Sequence, residues 1–206
     1  MSLAYLQLAC AALGVVIAVG NAKEWVIARP MSMLGAALVS LVYYPAGLYA
    51  KCLLNIIVFV LNAYGWYQWM YGGTDETPLR ISRAKPRALL YALLACVCGT
   101  AVLGNLLHRY SQADLPYWDS LHTAMYLIAQ WMLVHKQLES WILWMAADIF
   151  YIVVLHYKAL YILAGLHVFY TVLAVYGYYA WRRAYYREMG LGDQGDGVRL
   201  RDITEL

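Results

Sequence analysis

Between Arg87 and His108 the chain reads ALLYALLACVCGTAVLGNLL, an apolar run without a single charge. A transmembrane α-helix needs ~20 residues of this kind, because a backbone without water around it must satisfy its own hydrogen bonds. The stretch LHTAMYLIAQWMLV is nearly as clear. Five more segments follow the same pattern. Together they give candidate spans at about 3–20, 25–43, 48–70, 88–107, 117–134, 138–156 and 159–181, with ends good to a few residues. Pro30 falls near the start of the second, where a proline is tolerated.

Composition closes off the soluble alternatives. Charged residues make up 13% of the chain, against roughly 25% in an ordinary soluble domain. With 64% hydrophobic residues in 206, a water-soluble fold could not cover its apolar surface. The bilayer is therefore the expected solvent and first partner. A net charge of +3 is too small to argue for nucleic acid, and none is expected. Cys10, Cys52, Cys96 and Cys98 all lie in apolar segments and read as small hydrophobic fillers. No ligand pair supports a metal site, and no cofactor is expected.

The first segment resembles a signal peptide only superficially. VGNA could serve as a cleavage site, but MSLAYLQ lacks the lysine or arginine such a peptide needs. Orientation follows from the basic residues. The loop YGGTDETPLRISRAKPR holds Arg80, Arg83, Lys85 and Arg87, and the last span is followed by Arg182, Arg183 and Arg187. The positive-inside rule makes both cytoplasmic. With seven spans that requires the N-terminus outside and the C-terminus inside. Lys23 and Lys136 then also fall inside, while the outer loops carry just Lys51, Arg109 and Lys158. The tail GLGDQGDGVRLRDITEL is polar and rich in Gly and Asp, and is expected to be disordered.

An internal repeat fixes the architecture further. LYAKCLLNIIVFVLNAYGWYQW, 48–69, aligns without a gap to LYILAGLHVFYTVLAVYGYYAW, 160–181. Both end in Tyr-Gly-aromatic-Tyr-x-Trp, where an interfacial belt would place Tyr and Trp. Extended backwards, the register pairs span two with six and span one with five. The expected fold is an all-α membrane protein of seven transmembrane helices in a 3+1+3 arrangement of parallel repeats. Its parts are residues 1–70, a first three-helix repeat; 71–112, a cytoplasmic loop and linker helix; 113–183, a second repeat; and 184–206, a cytoplasmic tail. Parallel repeats of this kind occur in SWEET-type transporters, whose substrate sits between the halves near mid-membrane.

Three motifs then carry a family resemblance. GLYAKCLLNIIVFVLNAYGWYQW, PYWDS at 116–120 and KQLESWILWMAAD stand in order along the chain. The last fits Lys-x-x-Glu-x-Trp-x-x-Trp-x-x-x-Asn/Asp through Lys136, Glu139, Trp141, Trp144 and Asp148. In these motifs the chain resembles the PnuC family of vitamin transporters. The resemblance implies nicotinamide riboside uptake across the bacterial cytoplasmic membrane by facilitated diffusion, with a cytosolic kinase trapping the product. It also implies thiamine as the alternative substrate, and a homotrimer as the assembly. Three positions depart from the family pattern: Asp148 stands where asparagine is usual, Asn55 where many members have glutamine, and Arg29-Pro30-Met31-Ser32 where Trp-Pro-x-Gly is common. These bear on the choice of vitamin rather than on transport.

The candidate site follows from polarity inside the spans. Trp141, Trp144 and Asp148 share one helical stripe by their spacing. A carboxylate at mid-membrane costs a few kcal/mol at least, so it should face a wet cavity or a cation. No lysine or arginine in the spans is placed to serve it. A flat cationic vitamin would, since such rings bind over indole faces and a carboxylate balances their charge. The bland alternatives are an interfacial belt for the two tryptophans and an interhelical hydrogen bond to Tyr or His for Asp148. Asn55 and Asn62 form a stripe on span three that could meet ribose hydroxyls or an amide, or simply bond helix to helix. His167 pairs with Asn55 in the repeat register, and Gln130 and Tyr170 add polar groups inside the spans. His122 reads as a packing residue.

Rival functions fare worse on the same residues. His108, His122, His156 and His167 could ligate haem in an electron carrier, but no two are arranged for it. No Ser/His/Asp, paired-aspartate or HExxH pattern marks an intramembrane enzyme. A proton-coupled vitamin carrier using Asp148 is the remaining variant.

Overall fold

The structure, a computed structural model, describes residues 3–44, 49–111 and 114–190. The helices are α1 (Leu3–Ala22), α2 (Ala28–Tyr43), α3 (Tyr49–Tyr71), α4 (Pro86–Tyr110), α5 (Pro116–Val134), α6 (Glu139–Tyr157) and α7 (Tyr161–Glu188), with one 3₁₀ turn at Thr74–Glu76. Each expected span is helical. Pro86 and Pro116 open α4 and α5, where the missing N–H is not needed. The expected tail from 191 onward and the side chains of Cys10 and Lys51 lie outside what the structure describes.

Two boundaries differ from expectation. The second helix begins at Ala28 rather than 25, because residues 23–27 form a tight turn. In it the Trp25 N–H donates to the Gly20 carbonyl at 2.8 Å and the Ala28 N–H to the Trp25 carbonyl at 2.9 Å. The last helix continues past the expected 181 to Glu188. Ala184 and Tyr185 pack against the buried core there, so the helix outlives the apolar run that suggested its end.

α1 packs on α2 and α7, α2 on α3, α3 on α5, α5 on α6, and α6 on α7. These six helices close around a common centre. α4 rests on the outside, against α5, where Gly104 lets the Tyr117 ring approach its backbone. By length and composition α4, α6 and α7 are long and apolar enough to cross a membrane. The mean hydropathy of α3 and α5 is lowered by polar groups such as Asn55, Asn62, His122 and Gln130, which turn inward and leave the outer faces apolar.

The end of the bundle where α1, α3, α5 and α7 finish is rich in basic residues and tightly interlocked. The Trp69 indole donates to the carbonyls of Leu133 and Val134 at 3.3 and 3.1 Å. The Trp181 indole donates to the Asn21 carbonyl at 3.0 Å. These carbonyls belong to helix ends, which have no intrahelical partners of their own. Both tryptophans are fully buried, with ring centroids 6.0 Å apart. Lys136 and Glu24 form an ion pair of 2.7 Å. Each of the two adopts a left-handed backbone, at φ 48° and 56°, unusual for residues with a Cβ.

The repeated Tyr-Gly-aromatic-Tyr-x-Trp ending divides accordingly. Tyr64, Tyr67, Tyr176 and Tyr179 are exposed, as a belt requires. Trp69 and Trp181 are not belt residues; their rings are captured by helix-end carbonyls. The glycines allow close approach: a Cβ on Gly177 would lie 2.6 Å from the Trp141 ring, and one on Gly65 2.8 Å from Val134.

Candidate functional site

A cavity of about 350 Å³ lies at the centre of the six helices. Its wall includes all of the expected site residues: Asn55 and Asn62 from α3, Gln130 from α5, Trp141, Trp144 and Asp148 from α6, and His167 and Tyr170 from α7. α1 and α2 add mostly small or apolar side chains such as Gly14, Ala18, Ser32 and Ala36, with Asn21 of α1 the larger polar one. The wall is thus lopsided. In the register that pairs Trp69 with Trp181, Ala36 stands where Asp148 does, Ser32 where Trp144 does, and Ala18 where Gln130 does.

Asp148 is 5% exposed and is the one acidic residue among those lining the cavity. Its Oδ1 lies 2.7 Å from Nδ1 of His167. With the carboxylate ionised, Nδ1 carries the proton and donates it. The interhelical bond expected under the bland alternative therefore exists, and the hollow exists beside it. His167 meets the rings of His122 and Tyr151 edge-on, at centroid distances of 5.8 and 5.1 Å. The His122 ring stacks on Tyr151 at 3.8 Å and 13°. No lysine or arginine is among the described lining residues.

Trp144 stands perpendicular to Tyr126, with centroids 4.9 Å apart. Trp141 is buried against Gly177 and edge-on to Trp181 at 5.4 Å. An interfacial belt does not describe it. Its indole nitrogen has no hydrogen-bond partner among the described residues.

Asn62 is committed to the protein. Its Oδ1 accepts from Gln130 Nε2 at 3.0 Å and from Arg29 Nη1 at 3.3 Å, while Nδ2 donates to the Val58 carbonyl at 2.8 Å. It holds α2, α3 and α5 together at the cavity floor and leaves little capacity for a ligand. Arg29, fully buried, lies over the Trp69 ring at 4.0 Å, in the place that Trp141 takes against Trp181.

Sequence reasoning passed over His122 and Tyr126, which line the cavity too. A signal was present: His122, Tyr126 and Gln130 recur at helical spacing on α5. Tyr170 is placed by Gly14, where a Cβ would lie 2.7 Å from the Tyr170 hydroxyl.

Residues 4–183 match the sequence profile described as nicotinamide mononucleotide transporter. The nicotinamide riboside transporter PnuC of Escherichia coli strain K12 is 23% identical, over 72% of this chain and 73% of its own. That of Neisseria mucosa is 29% identical, over 77% of this chain and 64% of its own. A solved structure, described as the crystal structure of the vitamin B3 transporter PnuC, superposes with a TM-score of 0.70 at 25% identity. The match covers 89% of this chain and 83% of that one. On a profile match spanning nearly the whole described bundle, the chain belongs to the nicotinamide mononucleotide transporter family, the PnuC transporters.

Proposed function

We propose that the protein carries nicotinamide riboside into the cell by facilitated diffusion, the product being trapped by a cytosolic kinase. Family membership makes it a transporter rather than an enzyme, a multi-pass protein of the bacterial inner membrane. The substrate reading rests on one observation above the others: a buried aspartate and a tryptophan face share the wall of a cavity with no lysine or arginine among its described lining residues. Its volume of about 350 Å³ sits at the lower end of the ~300–1,000 Å³ usual for small-molecule sites. A pyridinium ring over Trp144 would gain from the indole face, and Asp148 would balance its charge. Names of the relatives point to the same vitamin.

In this reading α1–α3 and α5–α7 are like-oriented repeats joined by α4, with the basic end cytoplasmic. Support comes from contacts between register-equivalent residues, Trp69 with Trp181 and Glu24 with Lys136. Two halves related by an axis between them would meet in this way. Flux down a gradient needs no coupling ion in this scheme.

A thermal-shift and calorimetric panel of purified protein with nicotinamide riboside, thiamine and riboflavin tests the substrate. Nicotinamide riboside should bind, and Asp148→Ala and Trp144→Ala should bind it far more weakly while remaining folded in detergent. Undiminished affinity in both variants would remove the site. Thiamine is the second reading, favoured by Asp148 in place of the family's usual asparagine. Proteoliposome uptake should stop at equilibrium unless kinase and ATP are enclosed.

A further inference from the structure

We infer that a proton on His167 and the positive ring of the substrate compete for the same carboxylate, so that binding of the cation expels that proton. This rests on the reading of the cavity as a cationic vitamin's site and adds a property which that reading does not contain.

The argument begins with charge. Asp148 and His167 lie 2.7 Å apart on the wall of the cavity, with side chains 7% and 19% exposed. An imidazole is the side chain whose charge changes within the physiological range. When His167 carries both ring protons, the pair is neutral overall and the empty cavity holds no uncompensated charge. A vitamin cation entering that state would leave one positive charge in excess among largely buried side chains, which is unfavourable.

Loss of one proton resolves the conflict. The N–H bond at Nε2 of His167 breaks, its electron pair stays on the ring, and the proton passes to solvent. Nδ1 keeps its hydrogen and still donates to Asp148 Oδ1, so the geometry survives. The carboxylate then balances the ligand instead of the imidazolium, and the net charge of the site is unchanged.

No second carboxylate is among the described residues lining the cavity, and the other imidazole on its wall, His122, stacks on Tyr151. His167 meets His122 from α5, Asp148 and Tyr151 from α6 and Tyr170 on its own helix, and shares the cavity wall with Tyr126 from α5 and Asn55 from α3. Asp119 is engaged by Lys158 at 3.2 Å and does not line the cavity. Asp148 is thus the single carboxylate for which proton and ligand contend. The competition acts at whichever membrane face the site is open to, and it tunes affinity without coupled exchange as long as the empty, unprotonated site also reorients.

The test is calorimetry on the full chain in detergent, from roughly pH 5 to 8.5, a window bracketing the histidine range. Two ligands are compared: nicotinamide riboside, and the uncharged benzamide riboside of nearly the same shape. Titrations in two buffers of different ionisation enthalpy count the protons released. The cation's affinity should be flat at the alkaline end and fall about tenfold per pH unit at the acid end, with proton release there. Benzamide riboside should show neither. His167→Gln should abolish the acid limb for the cation, and so should Asp148→Asn, which leaves no anion to contend for. Affinity for the cation that is flat with pH overturns the inference while leaving the substrate assignment standing. So does an acid limb that persists in His167→Gln or Asp148→Asn, or one equally strong for benzamide riboside. Absence of any riboside binding at every pH removes the substrate assignment, and this inference with it.

Discussion

At the scale of single residues, the cavity divides its polar groups into two kinds. Asn62 is saturated by Arg29, Gln130 and its own helix, whereas Trp144 offers a ring to the hollow and stands edge-on to Tyr126. Truncation should separate them. Trp144→Ala removes a cation–π partner worth up to about 2 kcal/mol, so the dissociation constant for nicotinamide riboside should rise by roughly thirtyfold. Trp144→Phe should keep part of that with little change in melting temperature, whereas Trp144→Ala also loses packing against the core and should melt lower. Asn62→Ala should instead lower stability through the unpaired Arg29 and Gln130 it leaves behind, by about 1–3 kcal/mol. Calorimetry and thermal unfolding of the same preparations distinguish the two patterns. The stripe of Trp141, Trp144 and Asp148 was legible from spacing alone. His122 was not, because an isolated histidine on an apolar helix looks the same whether it packs or faces a cavity. Its stacking on Tyr151 decides nothing in the primary structure. Arg29 was visible only as a departure from the family pattern. Its burial needs Trp69, from another helix, as a platform.

Among the helices, closeness of approach matters more than helix propensity. Gly177 lies under the Trp141 ring, while Gly165, on the same helix, meets nothing within 4 Å of an added Cβ. Gly177→Val should therefore overpack the α6–α7 contact and destabilise by about 1–3 kcal/mol. Gly165→Ala should be neutral or stabilising by up to about 1 kcal/mol through backbone entropy alone. Thermal unfolding in one detergent reads both. The helices themselves were legible because apolar length and flanking charge are local properties. Prolines at 86 and 116 stand in the first turn of two helices. The left-handed turns at Glu24 and Lys136 were not legible. Neither residue favours that conformation by itself, and the two are held there by each other across the bundle. The end of α7 was misjudged for a related reason: packing of Ala184 and Tyr185 onto the core extends a helix whose sequence has already turned polar.

For the whole molecule, the seam between α1–α3 and α5–α7 is where motion would occur. With native cysteines replaced, a disulfide or short cross-link between cysteines at 24 and 136 should stop vesicle uptake while leaving ligand binding in detergent intact. Reduction of the disulfide should restore uptake. Orientation is checked separately: Arg109→Cys should react with an impermeant maleimide on whole spheroplasts, Arg83→Cys only after permeabilisation. The segment after α3 adds a constraint of its own. The Leu79 amide bonds to the Trp69 carbonyl, the Ser82 amide to Lys136, and the Leu138 amide back to Ser82. Arg83 and the Ala84 amide both reach Glu139, whose carboxylate raises the Arg83 guanidinium above its ordinary pKa. The strand-like stretch from 79 to 84 is thus basted to both sides of the join. If the two sides part there, some of these main-chain bonds must let go, and each amide so released can trade its hydrogen for deuterium. A slow, ligand-sensitive exchange at Leu79, Ser82 and Leu138 would therefore time the opening of the bundle at this end without any label attached.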